Sequence, residues 1–363
     1  MESDVIVIGA GPGGSASAIS FMRRGFGVTI LEKKVMPRRK VCGEMLAPLG
    51  VKELSKLGVL GKIEGAGANK VRRIVFYSYR GARAENEFPG DEYGVAMSRE
   101  RLDTILFREA CDEGALGIEG FRVENVERER GTRFFRVEGS YNKSGKRETF
   151  RSKAVINASG LGGVGYKDKK CREFLYAFKI RLRGISCGDA AELFFYDGGY
   201  GGLIDIEDGI VNLAFQIRKD QMSHMDAHPL DILKAILPSN HLIRKKLSEA
   251  VPVDKWEAMG SVFLRRRGSF PGVWNVGDAS GIIDPFTGLG ISLALQGGRY
   301  LGENLEVGGE RRVYDLKRSL NRTRFLTVWL LRRVLFRQRL SHVIMKQALF
   351  SPILGGIIGL LHT

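Results

Sequence analysis

The stretch from Asp4 to Glu32 constrains the fold more than any other part of the chain. Asp4 to Ile8 is led by an unbroken β-branched run, which reads as a strand buried on both faces. Gly9, Gly11 and Gly14 follow with G-x-G-x-x-G spacing, and Ser15 to Arg24, rich in small residues and free of breakers until Gly25, reads as a helix. Val28 to Leu31 is a second buried strand that stops at Glu32. In a chain with 47 glycines such a cluster says little alone, but strand, glycines, helix, strand and acid within about 30 residues are the dinucleotide-binding arrangement. Gly9 serves the tight turn, Gly11 lets backbone approach a pyrophosphate, and Gly14 lets helix and strand pack closely. Free N–H groups at the helix start, with the dipole behind them, hold phosphate, and the Glu32 carboxylate accepts from a ribose.

The far end of the chain indicates which dinucleotide. Trp274 to Val276 is a short apolar strand running into Gly277 and Asp278; a loop with Pro285, Gly288 and Gly290 comes next, and a helix is expected from about Ile291. This resembles the second FAD fingerprint of the p-hydroxybenzoate hydroxylase superfamily, where the aspartate binds the ribityl chain and the following helix start faces the flavin. Ala154 to Gly160 resembles the middle motif of that superfamily, with Ser159 in place of its aspartate. The resemblance spans most of the chain and implies FAD rather than NAD.

A narrower resemblance, to the geranylgeranyl reductase branch, rests on Pro37 to Glu44, with its Lys-x-Cys-Gly segment, and on Thr287 to Ala294, which begins T-G-x-G-I. Ser98 and Arg99, followed by Leu102, Asp103 and Leu106, fit the R-x-x-x-D-x-x-L helix whose arginine approaches the cofactor. Gly199-Tyr200-Gly201-Gly202 stands where that branch has Gly-Tyr-x-Trp, so Gly202 departs from it. The cofactor contacts this resemblance implies are Gly9, Gly11, Pro12, Gly13, Gly14, Glu32 and Lys33 at the first motif. Lys40, Cys42, Gly43, Arg99, Val123 and Gly160 follow, and then Gly277, Asp278, Gly288, Gly290 and Ile291. In the resembling branch the cysteine loop borders the flavin, which makes Cys42 the expected residue at the reacting centre, with a small buried filler as its alternative. Tyr200 is the expected substrate contact.

At 363 residues the chain exceeds one ordinary domain, and 44% apolar content supplies a sizeable core. Residues 1–70 and 95–165 read as alternating strand and helix, whereas 71–79, 83–88 and 192–217 read as extended segments with turns between them. The expected fold is α/β: a Rossmann-type, glutathione reductase-like FAD-binding domain in three parts (1–70, 95–165 and 266–310). An inserted β-rich substrate domain (71–94 and 166–265) and a basic helical C-terminal region (311–363) complete it. Gly160 to Gly165 is a glycine-rich crossing between them. The four cysteines, Cys42, Cys111, Cys171 and Cys187, show no C-x-x-C pairing, so neither zinc nor a disulfide framework is expected. The first residues enter the strand directly, so no secretory leader is expected and the cytoplasm is the default location.

Charge is concentrated near the end. Arg311 to Lys346 carries 11 Lys and Arg against the single acid Asp315, a surplus of 10 in a formal net charge of +16, with Phe325, Trp329, Leu330 and Leu335 interleaved. Residues 348–361 are apolar but interrupted by Pro352 and glycines, too short to span a bilayer and suited to an interfacial segment on the inner face of a membrane. The alternative is a helical cap packed on the domains with a solvated basic face. His224 and His228 are spaced i, i+4 but lack a third ligand, so no metal is expected. Arg265 to Arg267 reads as a solvated loop, and no nucleic-acid module or G-x-S-x-G elbow occurs.

A flavin carries hydride chemistry while the protein supplies position, polarity and exclusion of water. The resemblance implies reduction of carbon–carbon double bonds in a hydrophobic isoprenoid or lipid. Hydroxylation of an aromatic or polyketide-like substrate, or a basic flavoprotein that only binds a membrane or nucleic acid, are the alternatives; the W-x-W-x-I-P motif of the related halogenases is absent. One Rossmann motif leaves no dedicated nicotinamide domain, so electrons are expected from transiently docked NAD(P)H or from a reduced carrier protein. The sequence singles out no proton donor.

Overall fold

The computed structural model describes residues 1–161, 175–196, 199–218, 240–260 and 272–307, with a few single positions besides. Outside it lie His224, His228, Arg265 to Arg267, Cys171, much of the Gly160 to Gly165 crossing and nearly all of 311–363.

Strands and helices are numbered along the chain. The first sheet has the order β8 (Leu116–Glu119), β2 (Val28–Glu32), β1 (Glu2–Ile8), β11 (Arg147–Asn157), β10 (Phe135–Tyr141) and β9 (Phe121–Arg128), and β18 (Trp274–Asn275) pairs with the end of β11. Pairing is parallel among β8, β2, β1, β11 and β18 and antiparallel through β10 and β9. Val5 and Val7 of β1 enter a core shared with the helices, whereas Ile6 and Ile8 enter the one built by Phe121, Phe135 and Phe150, as period-two alternation requires. The expected strand–helix alternation over 95–165 holds only for α4 (Arg99–Asp112). Beyond β8 the chain turns back through antiparallel strands, because Gly131 and Gly145 at positive φ provide hairpin turns and Phe121, Val123 and Val126 present one apolar face.

The helix α1 (Pro12–Arg23) packs along α6 (Leu289–Asn304). Their contact is made of small residues: a Cβ on Gly298 would overlap the Gly13 carbonyl, and one on Gly302 would lie 2.5 Å from the Ser20 Cβ. Two motifs are thereby locked side by side, with Gly13 and Gly298 in contact though 285 residues apart, since any larger side chain there would push the axes apart.

The second sheet has the order β16 (Val251–Pro252), β12 (Leu175–Arg183), β15 (Val211–Arg218), β14 (Gly199–Asp205), β13 (Ala190–Tyr196), β5 (Arg73–Tyr77) and β6 (Arg83–Glu87), with β17 (Glu257–Met259) on β12. A small sheet joins β3 (Met45–Leu46), β7 (Gly94–Ala96) and β4 (Asn69–Val71), with α2 (Pro48–Lys56) and α3 (Leu60–Gly65) nearby, and α5 (His241–Ser248) covers the far face of the second sheet through Ile243. The register places Ala177 and Lys179, Gln216 and Ala214, Tyr200 and Gly202, and Leu193 and Ala191 on the opposite face, which looks toward the first sheet.

Candidate active site

A cavity of about 980 Å³ lies between the two sheets. Its volume is at the upper end for a small-molecule pocket and suits a cofactor together with part of a substrate.

One end is a cradle for a dinucleotide. Gly9 has φ +102, and a Cβ there would come 2.7 Å from the Ala158 carbonyl oxygen. Gly11 is the N-cap of α1 in extended conformation with Pro12 after it, and no side chain caps the helix. A Cβ on Gly11 would meet only the guanidinium ends of Arg38 and Arg99, at 3.5 and 3.9 Å, so glycine here answers to what fills the cavity rather than to core packing. The Glu32 carboxylate accepts from the N–H groups of Ala10 at 2.8 Å and Lys34 at 2.9 Å, which fixes it at the cavity edge next to Lys33. Across the cleft, α6 begins at Gly288 in the left-handed region, φ +65, again without a side-chain cap on that glycine, and a Cβ on Gly290 would meet open space. Gly160, Gly277, Asp278, Ile291 and Val123 also line the cavity. The uncapped helix start at Gly11, a second helix start whose N-cap is Gly288, a buried acid at a strand end and glycines facing open space fit FAD.

Of the residues singled out from the sequence for the cofactor, only Gly14 stays off the wall. Its Cβ would overlap the Gly9 carbonyl oxygen, so Gly14 serves helix–strand packing.

The segment carrying Lys40, Cys42 and Gly43 closes one side. Lys40 Nζ contacts Asp278 Oδ2 at 3.2 Å, and Arg39 pairs with Glu100 at 3.2 Å, with Glu257 at 3.5 Å and with Asp254. The Cys42 carbonyl accepts from Asn212 Nδ2 at 3.1 Å. Arg99 is buried at the start of α4 and donates twice to Asp103, at 2.8 and 2.7 Å, while Arg38 reaches the same carboxylate at 3.0 Å. Burial works against the charge of Arg99, yet Asp103 and Cys42 beside it raise its pKa and keep it cationic.

Sequence reasoning missed Arg38, Glu44 and Lys179 as site residues, and it placed Asp103 in the R-x-x-x-D-x-x-L helix without assigning it a role. Glu44 is fully buried and meets Lys179 Nζ at 2.5 Å; burial raises its carboxyl above the usual range against the pull of Lys179, the Arg99 N–H and Arg181. Arg38 and Glu44 flank the Lys-x-Cys-Gly segment, but no spacing rule tells which side chains of an irregular loop turn inward, and Lys179 reads as an ordinary strand lysine.

The other end is largely apolar: Ile74, Ala191, Leu193, Gly202, Ile204 and Ala214 line it, with Ile283 and Phe286 opposite. Gly202 and Ala214 are direct partners across β14 and β15 and both line the cavity, and a Cβ on Gly202 would lie 3.3 Å from the Leu193 side chain. Tyr200 lines the same wall, its hydroxyl donating to Asp284 Oδ1 at 3.3 Å and its ring edge-on to Phe286. Buried Gln216 lines this end, and among the described residues its Oε1 has no hydrogen-bond partner. Among the described residues no cluster could hold a metal ion, and no helix is long and apolar enough to cross a membrane.

A family model described as an FAD binding domain matches residues 2–172. The chain is 30% identical to digeranylgeranylglycerophospholipid reductase 2 of Methanopyrus kandleri, across 84% of this chain and 76% of that protein. It is 29% identical to a menaquinone reductase of Mycobacterium tuberculosis, across 84% of this chain and 77% of that protein. A structure of the flavin-dependent brominase Bmp2 superposes with a TM-score of 0.82 over 99% of this chain and 94% of the other, at 19% identity, a likeness of fold. Fold and site together define an FAD-dependent oxidoreductase. The chain belongs to the geranylgeranyl reductase-like flavoproteins of the p-hydroxybenzoate hydroxylase superfamily.

Proposed function

We propose that the protein reduces carbon–carbon double bonds of a hydrophobic isoprenoid or lipid. The observation that carries this reading is the continuity of the cavity, in which the cofactor cradle opens onto the wall of Ile74, Ala191, Leu193, Gly202, Ile204 and Ala214. An isolated alkene offers no polar handle, so shape and apolar contact have to hold it against the reacting atoms. Bound FAD supplies hydride transfer. The chain's part is to hold the pyrophosphate at the α1 start, the ribose at Glu32 and the ribityl chain at Asp278, and to keep water from the apolar end. Cys42 lines the same cavity, and in this reading it is the residue that touches the reacting centre. Electrons come from transiently docked NAD(P)H or a reduced carrier protein. The basic segment 311–346 and the apolar residues after it serve contact with a membrane surface, where such substrates reside.

A second reading, hydroxylation of an aromatic or polyketide-like substrate, draws support from Gln216, whose unpartnered Oε1 suits a substrate with a polar head. One experiment separates the two. The flavoprotein is photoreduced without oxygen and mixed with polyprenyl alkenes and with phenols. Reoxidation by an alkene under anaerobic conditions supports the reductase; reoxidation that waits for oxygen and yields a hydroxylated product sinks it.

A further inference from the structure

Glu44 has the features of a reacting group. It follows Gly43 at φ +61, and among the described residues only Asp208 shares a positive φ without being glycine. A long side chain in that region costs about 1–3 kcal/mol and persists only where its surroundings impose it. Both protein donors to the carboxylate act on one oxygen: the Arg99 N–H at 2.9 Å and Lys179 Nζ at 2.5 Å reach Oε1. Oε2 is buried and, among the described residues, has no hydrogen-bond partner, and the residue lines the cavity together with Cys42 and Met45. A buried acceptor with no donor is expensive to maintain. A proton on Oε2 turns that orphan acceptor into a donor at the cavity wall.

We infer that Glu44 is the proton donor for alkene reduction, an assignment that rests on the reductase reading. Saturating one C=C bond takes a hydride at one carbon and a proton at the other. As the first C–H bond forms with the electron pair supplied by the reduced cofactor, the π pair moves to the second carbon. That carbon takes the proton from Glu44 Oε2, and the O–H electrons stay on the carboxylate. Lys179 Nζ then faces the new negative charge at Oε1, and water returns the proton after the product leaves. The charged groups facing this carboxyl are Lys179 and Arg181 from β12 and Arg99 from α4, while Cys42 Sγ on its own loop accepts from the Glu44 N–H; Asp103 neutralises Arg99, and Glu100 neutralises Arg181.

The test uses the FAD-loaded full chain and two variants, Glu44→Gln and Glu44→Asp, the second chosen because aspartate tolerates the left-handed backbone better. Infrared difference spectra of the wild type are expected to show a protonated carboxyl that persists above the ordinary carboxylate range and is missing from Glu44→Gln. Flavin content stays unchanged in both variants. After photoreduction, reoxidation by the alkene is expected to slow at least about 100-fold in Glu44→Gln. Glu44→Asp keeps the wild-type loss of rate at high pH, at a lower maximum. A wild-type rate and pH profile in Glu44→Gln, or a wild-type carboxyl already ionised at the pH of turnover, overturns the assignment alone. If no alkene reoxidises the wild-type flavoprotein, the reductase reading falls first and takes the assignment with it.

Discussion

Lys40 Nζ sits 3.2 Å from Asp278 Oδ2, joining two cavity-lining segments 238 residues apart in the chain. Both side chains are about a quarter exposed, and an ion pair of that kind contributes at most about 1 kcal/mol to stability. Its place at the cradle points instead to the cofactor. Asp278→Ala is expected to lower the flavin-to-protein ratio sharply while the melting temperature of the apoprotein hardly moves. Cys42→Ala should keep its flavin. The opposite pattern, read from absorbance after desalting, would exchange the roles assigned to these residues.

Gly11→Val places two methyl groups where the backbone has to approach a pyrophosphate. A Cβ at this position has no core atoms within 4 Å, only the tips of two arginines, so the fold tolerates the change while the cofactor does not. The expected outcome is a folded protein, by circular dichroism, that retains no FAD when refolded in its presence.

Asp103 holds two buried or nearly buried guanidinium groups, those of Arg99 and Arg38. Asp103→Asn keeps the shape but leaves Arg99 without its counter-ion, and breaking a buried pair in this way costs about 3–5 kcal/mol. Urea unfolding should show the loss as a lower midpoint with an unchanged slope. A change below about 1 kcal/mol would mean that Arg99 is less enclosed than its burial indicates.

Stability should depend on pH through Glu44. Its carboxyl is raised by burial, so the folded state holds that proton more tightly than the unfolded chain does. The resulting stabilisation is complete below the ordinary carboxylate value and is lost as pH rises through the higher folded value. Thermal melts across this window should therefore fall more steeply with pH in the wild type than in Glu44→Gln. Lys179→Met removes a cation that lowers this pKa, so its falling limb should move to higher pH.

The basic segment invites a binding measurement. With a surplus of 10 positive charges over 311–346, the protein should sediment with anionic liposomes at low ionic strength and be partly released as salt screens the attraction. Removal of residues 348–363 should abolish sedimentation and leave FAD in place. Indifference to liposomes at every salt concentration would return this segment to the folded core.

Much of the cradle was legible in the sequence because its physics is local. A buried β-branched run, glycines at fixed offsets and an acid at the next strand end determine a β-α-β turn whatever the rest of the chain does, and Gly9, Gly11 and Glu32 stand where that pattern puts them. The same holds for Gly288 and Gly290, where a positive φ and an open approach call for glycine. Even Gly14, which stays off the cavity wall, performs the packing task its spacing implies.

What only the tertiary structure decided is which side chains converge. Glu44 and Lys179 are 135 residues apart, and Arg38 meets Asp103 across a loop and a helix whose sequences carry no sign of each other. The antiparallel turn-back after β8 was likewise hidden, since hairpin glycines and alternating apolar residues fix strands but not the partners they find. Burial raises the pKa of Glu44, and among the described residues its second oxygen has no donor; burial is a property of every element packed around a residue. A pattern of a few residues can specify a turn because the turn is made by those residues alone. A proton donor is made by its surroundings, and those exist only after the chain has folded.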